Sequence, residues 1–161
     1  MSDSTNRVGK HKFDFARRFF SPSFCWSEFI FPSTLQVSSL IELLLEPLEG
    51  EEIFDRIQLG LHEALVNAVR HGNEGDPKKN LRVRRILTPH WWVWQVQDQG
   101  PGVPMEARRS SLPAQIDVQR GRGLFLINQC FDDVRWSRRG NRLQLACRRV
   151  SLTNDVGNQD L

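Results

Sequence analysis

The chain has no apolar run approaching the roughly twenty residues that a membrane-crossing helix requires. Its 39% hydrophobic and 25% charged residues match an ordinary soluble globular domain. A secretory leader is also missing: the stretch MSDSTNRVGKHKFDF begins polar and contains no apolar segment followed by small residues, so a cytoplasmic location is expected. Cysteine is scarce. Cys25, Cys130 and Cys147 are widely spaced, odd in number and without a C-x-x-C pair, which argues against a disulfide framework or a zinc cage and leaves them as small core residues. Concentrated basic charge is absent too. The net charge is +3 with a pI near 9.1, and Arg82, Arg84, Arg85, Arg135, Arg138, Arg139, Arg142, Arg148 and Arg149 mostly alternate with apolar neighbours. That spacing suits the solvent face of a half-buried sheet better than the clustered basic and aromatic surface of a nucleic-acid binder. No direct nucleic-acid contact and no membrane partner are therefore expected; the surface reads first as a solvated sheet face, with an acidic protein partner as a second use of it.

What remains is one domain's worth of chain. At 161 residues it can bury a substantial core but cannot hold a second full domain. Residues 1–23 read as a flexible basic leader and 151–161 as a flexible polar tail, which leaves a single domain over 24–150. Within it, 26–31 reads as a short strand. An S-x-x-Q capping box from Ser33 to Gln36 opens a helix that runs to about Leu45. A second helix starts in the acidic turn Gly50-Glu51-Glu52 and runs to Arg70, stopped by His71-Gly72-Asn73. Its core stripe is Ile53, Phe54, Ile57, Leu61, Ala64, Leu65 and Ala68. Alternation over 81–88 and 91–98 predicts an antiparallel hairpin. Residues 99–120 hold proline, glycine and serine without periodicity, the composition of a functional loop or lid. A helix follows from Gly123 with Leu124, Ile127 and Phe131, then a last hairpin over 134–137 and 142–148 around Arg139-Gly140-Asn141. Together these predict a small α/β domain without internal repeats.

Three local patterns carry chemistry. Glu63 and Asn67 are four positions apart on the second helix, so their side chains share one face about 5 to 6 Å apart and can hold one ligand. Helical rotation brings Arg56 and Arg70 near them, and Leu59 and Val66 flank the strip, so this face should be covered. In the second hairpin strand, alternation places Trp92, Trp94, Val96 and Asp98 together. A carboxylate thus ends an apolar row just as the chain enters Gln99-Gly100-Pro101-Gly102. Such a carboxylate needs a donor, and the exocyclic amino group of a purine is one, with Gly100 and Gly102 letting the backbone approach the ring. Gly121-Arg122-Gly123 precedes the third helix, so its N–H groups and the positive helix end suit phosphate oxygens. Each pattern alone also fits a bland role: an exposed amphipathic face, an Asp-x-Gly turn, a glycine-flanked helix start. Competing motifs are missing. There is no G-x-x-x-x-G-K-[ST] loop, Leu126 replaces the third glycine of a dinucleotide fingerprint, Val66 stands where a zincin needs its second histidine, and no G-x-S-x-G elbow occurs.

The ordered set is the specific signal: E-x-x-x-N-A-x-x-H-G on a helix, a hairpin ending in D-x-G-x-G, a lid, then G-x-G-L opening a helix. Over roughly 24–150 it resembles the ATP-binding domain shared by gyrase, the heat-shock chaperones of the ninety-kilodalton class, sensor histidine kinases and mismatch-repair ATPases. The short lid, H-E-A-L-V-N-A-V-R-H-G, G-R-G-L-F-L-I and the lack of an upstream phosphoacceptor helix look most like the anti-sigma factor serine kinases of bacteria. That resemblance implies an α+β two-layer sandwich, with a mixed, mostly antiparallel sheet and helices packed on one face. It implies ATP and Mg²⁺ as ligands: Asn67 on the Mg²⁺, Glu63 as general base toward a serine hydroxyl, Asp98 on the adenine amino group, Gly100 and Gly102 shaping the base pocket, and Gly121 and Gly123 holding phosphates. Arg120 or Arg122 would add positive charge at the γ-phosphate. Asn141 departs from the threonine that many relatives carry beside the adenine. The implied function is a serine/threonine protein kinase that phosphorylates an anti-anti-sigma (STAS-type) partner and sequesters a sigma factor, as a homodimer. The alternatives are a non-catalytic nucleotide-gated partner-switching module and the detached ATP-binding domain of a two-component histidine kinase.

Overall fold

The computed structural model describes residues 14–21, 24–48, 50–108 and 122–149, the side chains of 14–21 and of Arg122 excepted. Six strands form one sheet: β1 (Asp14–Ser21), β2 (Phe24–Pro32), β3 (Asn80–Leu87), β4 (Trp91–Gln97), β5 (Asp133–Trp136) and β6 (Arg142–Arg148). Their spatial order is β1-β2-β3-β4-β6-β5, and every pairing is antiparallel. The sheet and helices form the α+β two-layer arrangement that the resemblance implies, with no parallel pair in the sheet among the described residues. Three α-helices complete the fold among the described residues: α1 (Ser38–Leu45), α2 (Phe54–Asn67) and α3 (Arg122–Cys130). None of the described helices is long and apolar enough to cross a membrane.

Strand parity builds the layers. Phe29, Val83, Val96, Leu143 and Trp136 are successive cross-strand partners, and so are Ser27, Arg85, Trp94, Leu145 and Val134. Both rows therefore lie on the same face, the one that packs against the helices. Trp94 is fully buried there, meets Phe131 edge-on at 6.0 Å between ring centroids, and donates its Nε1–H to Leu44 O at 3.3 Å. That bond satisfies the polar end of an otherwise apolar side chain. On the helix side, Leu40, Ile41, Leu44 and Leu45 of α1 join Ile57, Leu61, Ala64 and Leu65 of α2 in one core. The opposite sheet face carries Arg82 and Arg84, as expected of alternating arginines, bridged to Glu28 at 3.4 and 3.0 Å.

Several expectations are corrected. The leader expected through residue 23 contributes β1, paired with β2 from Asp14↔Ile30 to Ser21↔Phe24; residues 1–13 and the expected tail 151–161 lie outside the described residues. The S-x-x-Q box does not cap α1. Ser33 instead continues the β2 pairing by donating its N–H to Lys79 O at 2.9 Å, and the helix begins at Ser38 with Val37 at its N-cap and no side-chain cap bond. Helix α2 starts at Phe54, after the acidic turn, and leaves α geometry at Asn67. Residues Ala68–Gly72 form a single π turn, closed by Asn73 N–H to Ala68 O at 2.8 Å. Arg85 is not on the solvent face. It shares parity with Leu81 and Val83, is 5% exposed, and donates its Nη1–H to Leu43 O at 2.7 Å above the Phe29 ring.

Candidate functional site

The helix layer and the sheet enclose a cavity of about 290 Å³, at the small end of ligand pockets. Its sheet side is apolar, formed by Val96, Leu143 and Trp136 from β4, β6 and β5. Its helical side is set by residues at three- to four-residue spacing, Ala64, Asn67, Ala68 and His71, followed by Gly72 in the π turn. Two alanines and a glycine on that strip keep the helix from filling the space. Leu124 and Ile127 of α3 close a third side, and Gly102, Val103 and Ala107 a fourth.

Asn67, Asp98, Gly102 and Gly123, read from distant parts of the sequence, all line this one cavity. Gly123 explains how close the helices come. A Cβ placed on it would lie 3.0 Å from Asn67 Nδ2 and 3.2 Å from Glu63 Oε2. The first turn of α3 is therefore set directly against the two side chains that share a face of α2. Glu63 itself stands next to Asn67 without lining the cavity, its side chain 30% exposed, with His62 Nδ1 3.9 Å from its Oε1. A carboxylate, a carboxamide and a helix start with its unpaired N–H groups converge at this end.

The opposite end holds Asp98. Its Oδ1 accepts the Gly100 N–H at 2.8 Å, and its own N–H donates to Asn141 O at 3.0 Å. Asn141 Nδ2–H returns a bond to Asp98 O at 3.3 Å, so Asn141 supports the backbone here. Burial raises the Asp98 carboxyl above its ordinary value, with the Gly100 N–H and the charges of Arg139 and Lys79 pulling the other way. Gly72 packs on this carboxyl so tightly that a Cβ would sit 2.5 Å from Oδ2, and a Cβ on Gly100 would overlap Gly72 O. Gly100 thus does not line the cavity; it allows the β4 exit to close against the π turn. Gly102, at φ +93°, adopts a left-handed conformation against Arg139 O.

Of the remaining sequence candidates, Arg120 and Gly121 lie outside the described residues, and Arg122 is placed only as the first residue of α3. Arg56 is not beside Glu63. Its Nη2–H reaches Cys147 Sγ at 3.4 Å beneath β6, because packing, not helical rotation alone, decides where a long side chain ends. Arg70 is exposed and does not line the cavity. Sequence reasoning gives no site role to Trp136, and it uses Gly72 only as the end of the E-x-x-x-N-A-x-x-H-G pattern and, with Asn73, as a helix stop, although a glycine and an asparagine together after a helix with small residues at 64 and 68 are a usable signal for close packing.

Among the described residues no group of three or more His, Cys, Asp or Glu side chains could hold a metal ion. A self-sufficient protein metal cage is thus not built here. An amide oxygen beside a helix start would suit Mg²⁺ as one ligand among waters and phosphate oxygens, since Mg²⁺ keeps several waters and takes few ligands from protein. The family model described as a histidine kinase-like ATPase domain matches residues 40–147, from within α1 to within β6. No curated protein matches the chain closely enough to add to that assignment.

Proposed function

Because the chain belongs to the histidine kinase-like ATPase domain family, whose fold binds ATP, we propose that it is a Mg²⁺-dependent serine/threonine protein kinase acting as an anti-sigma factor. In this reading it phosphorylates an anti-anti-sigma partner of the STAS type and sequesters a sigma factor, as a cytoplasmic homodimer. The observation that carries the catalytic part is the approach of Gly123 to both Glu63 and Asn67. An acid, an amide and a helix N-terminus meet at one end of a cavity whose other end holds a half-buried carboxylate.

Each group then has a role that follows from its chemistry. The Asn67 carboxamide oxygen would hold Mg²⁺, and N–H groups at the start of α3 near Gly123 would receive phosphate oxygens. Asp98 would accept from the amino group of an adenine, Val96 and Leu143 would offer it an apolar wall, and Gly102 would let the backbone pass close to the ring. Bound Mg-ATP supplies a transferable phosphoryl group with its charge neutralised, so that positioning and electrostatics account for most of the catalysis. Glu63 takes the proton from the attacking serine hydroxyl. Its partial exposure leaves room for a protein substrate to reach it. Gly121 and Arg122 complete the phosphate end in this reading.

The test is transfer of labelled phosphate from Mg-ATP to a STAS-type partner. Glu63→Gln should abolish transfer while nucleotide binding by calorimetry is retained, and Asn67→Ala should weaken the magnesium-dependent binding itself. Full transfer by Glu63→Gln would remove the general-base role. Binding without transfer in the unaltered protein would instead identify a nucleotide-gated binding module.

A further inference from the structure

Among the described residues, no strand or long helix supports the wall formed by Gly102, Val103 and Ala107. It is a loop followed by a short 3₁₀ turn, Met105–Arg108. What holds it is a seam with the turn between β5 and β6. Val103 N–H donates to Gly140 O at 3.0 Å, Asp98 N–H to Asn141 O at 3.0 Å, and Arg139 Nη2–H to Gly100 O at 3.4 Å. The seam prolongs the β4–β6 pairing past its last strand residues, Gln97 and Arg142.

Arg108 locks this seam. Its Nε–H donates to Val103 O at 2.8 Å, its Nη1–H to Ser137 O at 3.2 Å and its Nη2–H to Arg138 O at 3.1 Å. One planar guanidinium therefore ties three carbonyls from two loops that are about thirty residues apart in sequence. No carboxylate pairs with it among the described residues. Gly140, at φ +84°, is the matching half of the device: a Cβ there would lie 2.5 Å from Arg108 Nη2 and 2.8 Å from Val103 N, and would overlap Val103 O. The turn must be bare at that point for the guanidinium to reach Ser137 O and Arg138 O.

We propose that Arg108 is a positioning residue of the nucleotide site, which sets the distance between the Gly102–Val103 wall and the β5–β6 wall and thereby the width of the slot for the base. The proposal rests on the ATP-binding reading of the cavity. Arg108 acts through Val103 and Ala107, and with three of its N–H groups committed to carbonyls it serves as a clamp and not as a phosphate ligand. Its geometry, not its charge, is what matters, because an ammonium cannot present three donors in one fixed plane.

Titration of the full chain with a non-hydrolysable Mg-ATP analogue and with its guanine counterpart tests this, together with thermal unfolding of each variant. Arg108→Ala should weaken analogue binding on the order of tenfold, the equivalent of about 1.4 kcal/mol, and narrow the adenine-over-guanine preference. Arg108→Lys should fail to restore either. Gly140→Ala, which pushes the clamp away from the other side, should reproduce the same pair of changes, and the double variant should be no worse than the more affected single one. Unchanged affinity and preference in Arg108→Ala, or full rescue by lysine, would overturn the clamp while leaving the nucleotide site intact. An unaltered protein that binds neither analogue would overturn the nucleotide reading and this inference with it.

Discussion

Asn73 accepts the backbone N–H of Gln99 on its Oδ1 at 2.8 Å, joining the exit of the π turn to the exit of β4. The same carboxamide donates from Nδ2 to Asn80 O at 3.2 Å, at the start of β3, and the residue is fully buried. It thus pins three chain segments beside the cavity with one side chain. Truncating Asn73 removes two part-buried hydrogen bonds, each contributing about 0.5–1.5 kcal/mol. Asn73→Ala should therefore lower unfolding stability by about 2 kcal/mol or more, measured by urea titration. Asn73→Asp keeps the acceptor, loses the donor and buries a charge, so it should be at least as damaging. A loss of only a few tenths of a kcal/mol in both variants would mean that water replaces these bonds.

Two glycines of the site should respond very differently to the same methyl group. On Gly72 a Cβ would overlap Asp98 Cγ and lie 2.5 Å from Oδ2, whereas on Gly123 it would meet Asn67 Nδ2 at 3.0 Å and Glu63 Oε2 at 3.2 Å. The first contact displaces a half-buried carboxyl. The second asks the mobile ends of two side chains to give by a few tenths of an ångström. Gly72→Ala should weaken nucleotide binding on the order of a hundredfold, the scale of misplacing a binding group by about 1 Å, and Gly123→Ala far less. Calorimetric titration of the two variants side by side is the check, and the reverse order would show that the cavity is not organised around Asp98.

The raised Asp98 pKa fixes the sign of a pH effect. Burial favours the protonated form in the fold, so its contribution to stability is fully present below the ordinary carboxylate range. That contribution is lost as pH rises through the folded-state value. Asp98→Asn removes the ionisation and keeps an oxygen that can accept the Gly100 N–H. The variant should be more stable than the unaltered protein at neutral pH, with no gain in acid below the pKa of the unfolded chain, and it should bind adenine nucleotides worse because the amide no longer presents two acceptors. Urea unfolding at the two pH values reads the first effect. A destabilisation of Asp98→Asn at neutral pH that disappears in acid would show instead that Asp98 supports the fold through its charge.

The β3–β4 hairpin and the core stripe of α2 were legible because period-two and period-3.6 patterns translate directly into faces. The candidate residues drew attention for another reason: no single pattern is unusual, but the ordered set E-x-x-x-N-A-x-x-H-G, D-x-G-x-G and G-x-G-L is, and the fold brings Asn67, Asp98, Gly102 and Gly123 from it to one cavity. What stayed hidden depends on distant partners. Ser33 and Gln36 have the right spacing for a cap, but Lys79 from another strand claims the Ser33 N–H. Arg85 has core parity and a solvent residue's charge, and distant partners on the helix side, Leu43 O and the Glu46 carboxylate among them, decide between the two. Arg108 sits in a stretch without periodicity, so nothing local announces that its partners lie near residues 137 and 138.

The placement of Trp136 has an optical consequence. Of the five tryptophans, Trp136 alone lines the cavity, while Trp92 and Trp94 are buried in the core, Trp26 carries the Arg84 guanidinium and Trp91 that of Arg148. A ligand that displaces water from that cavity changes the surroundings of one indole and leaves four as they were. The protein thus carries its own fluorophore at the wall of its pocket, and ligand occupancy can be followed by emission without attaching a dye.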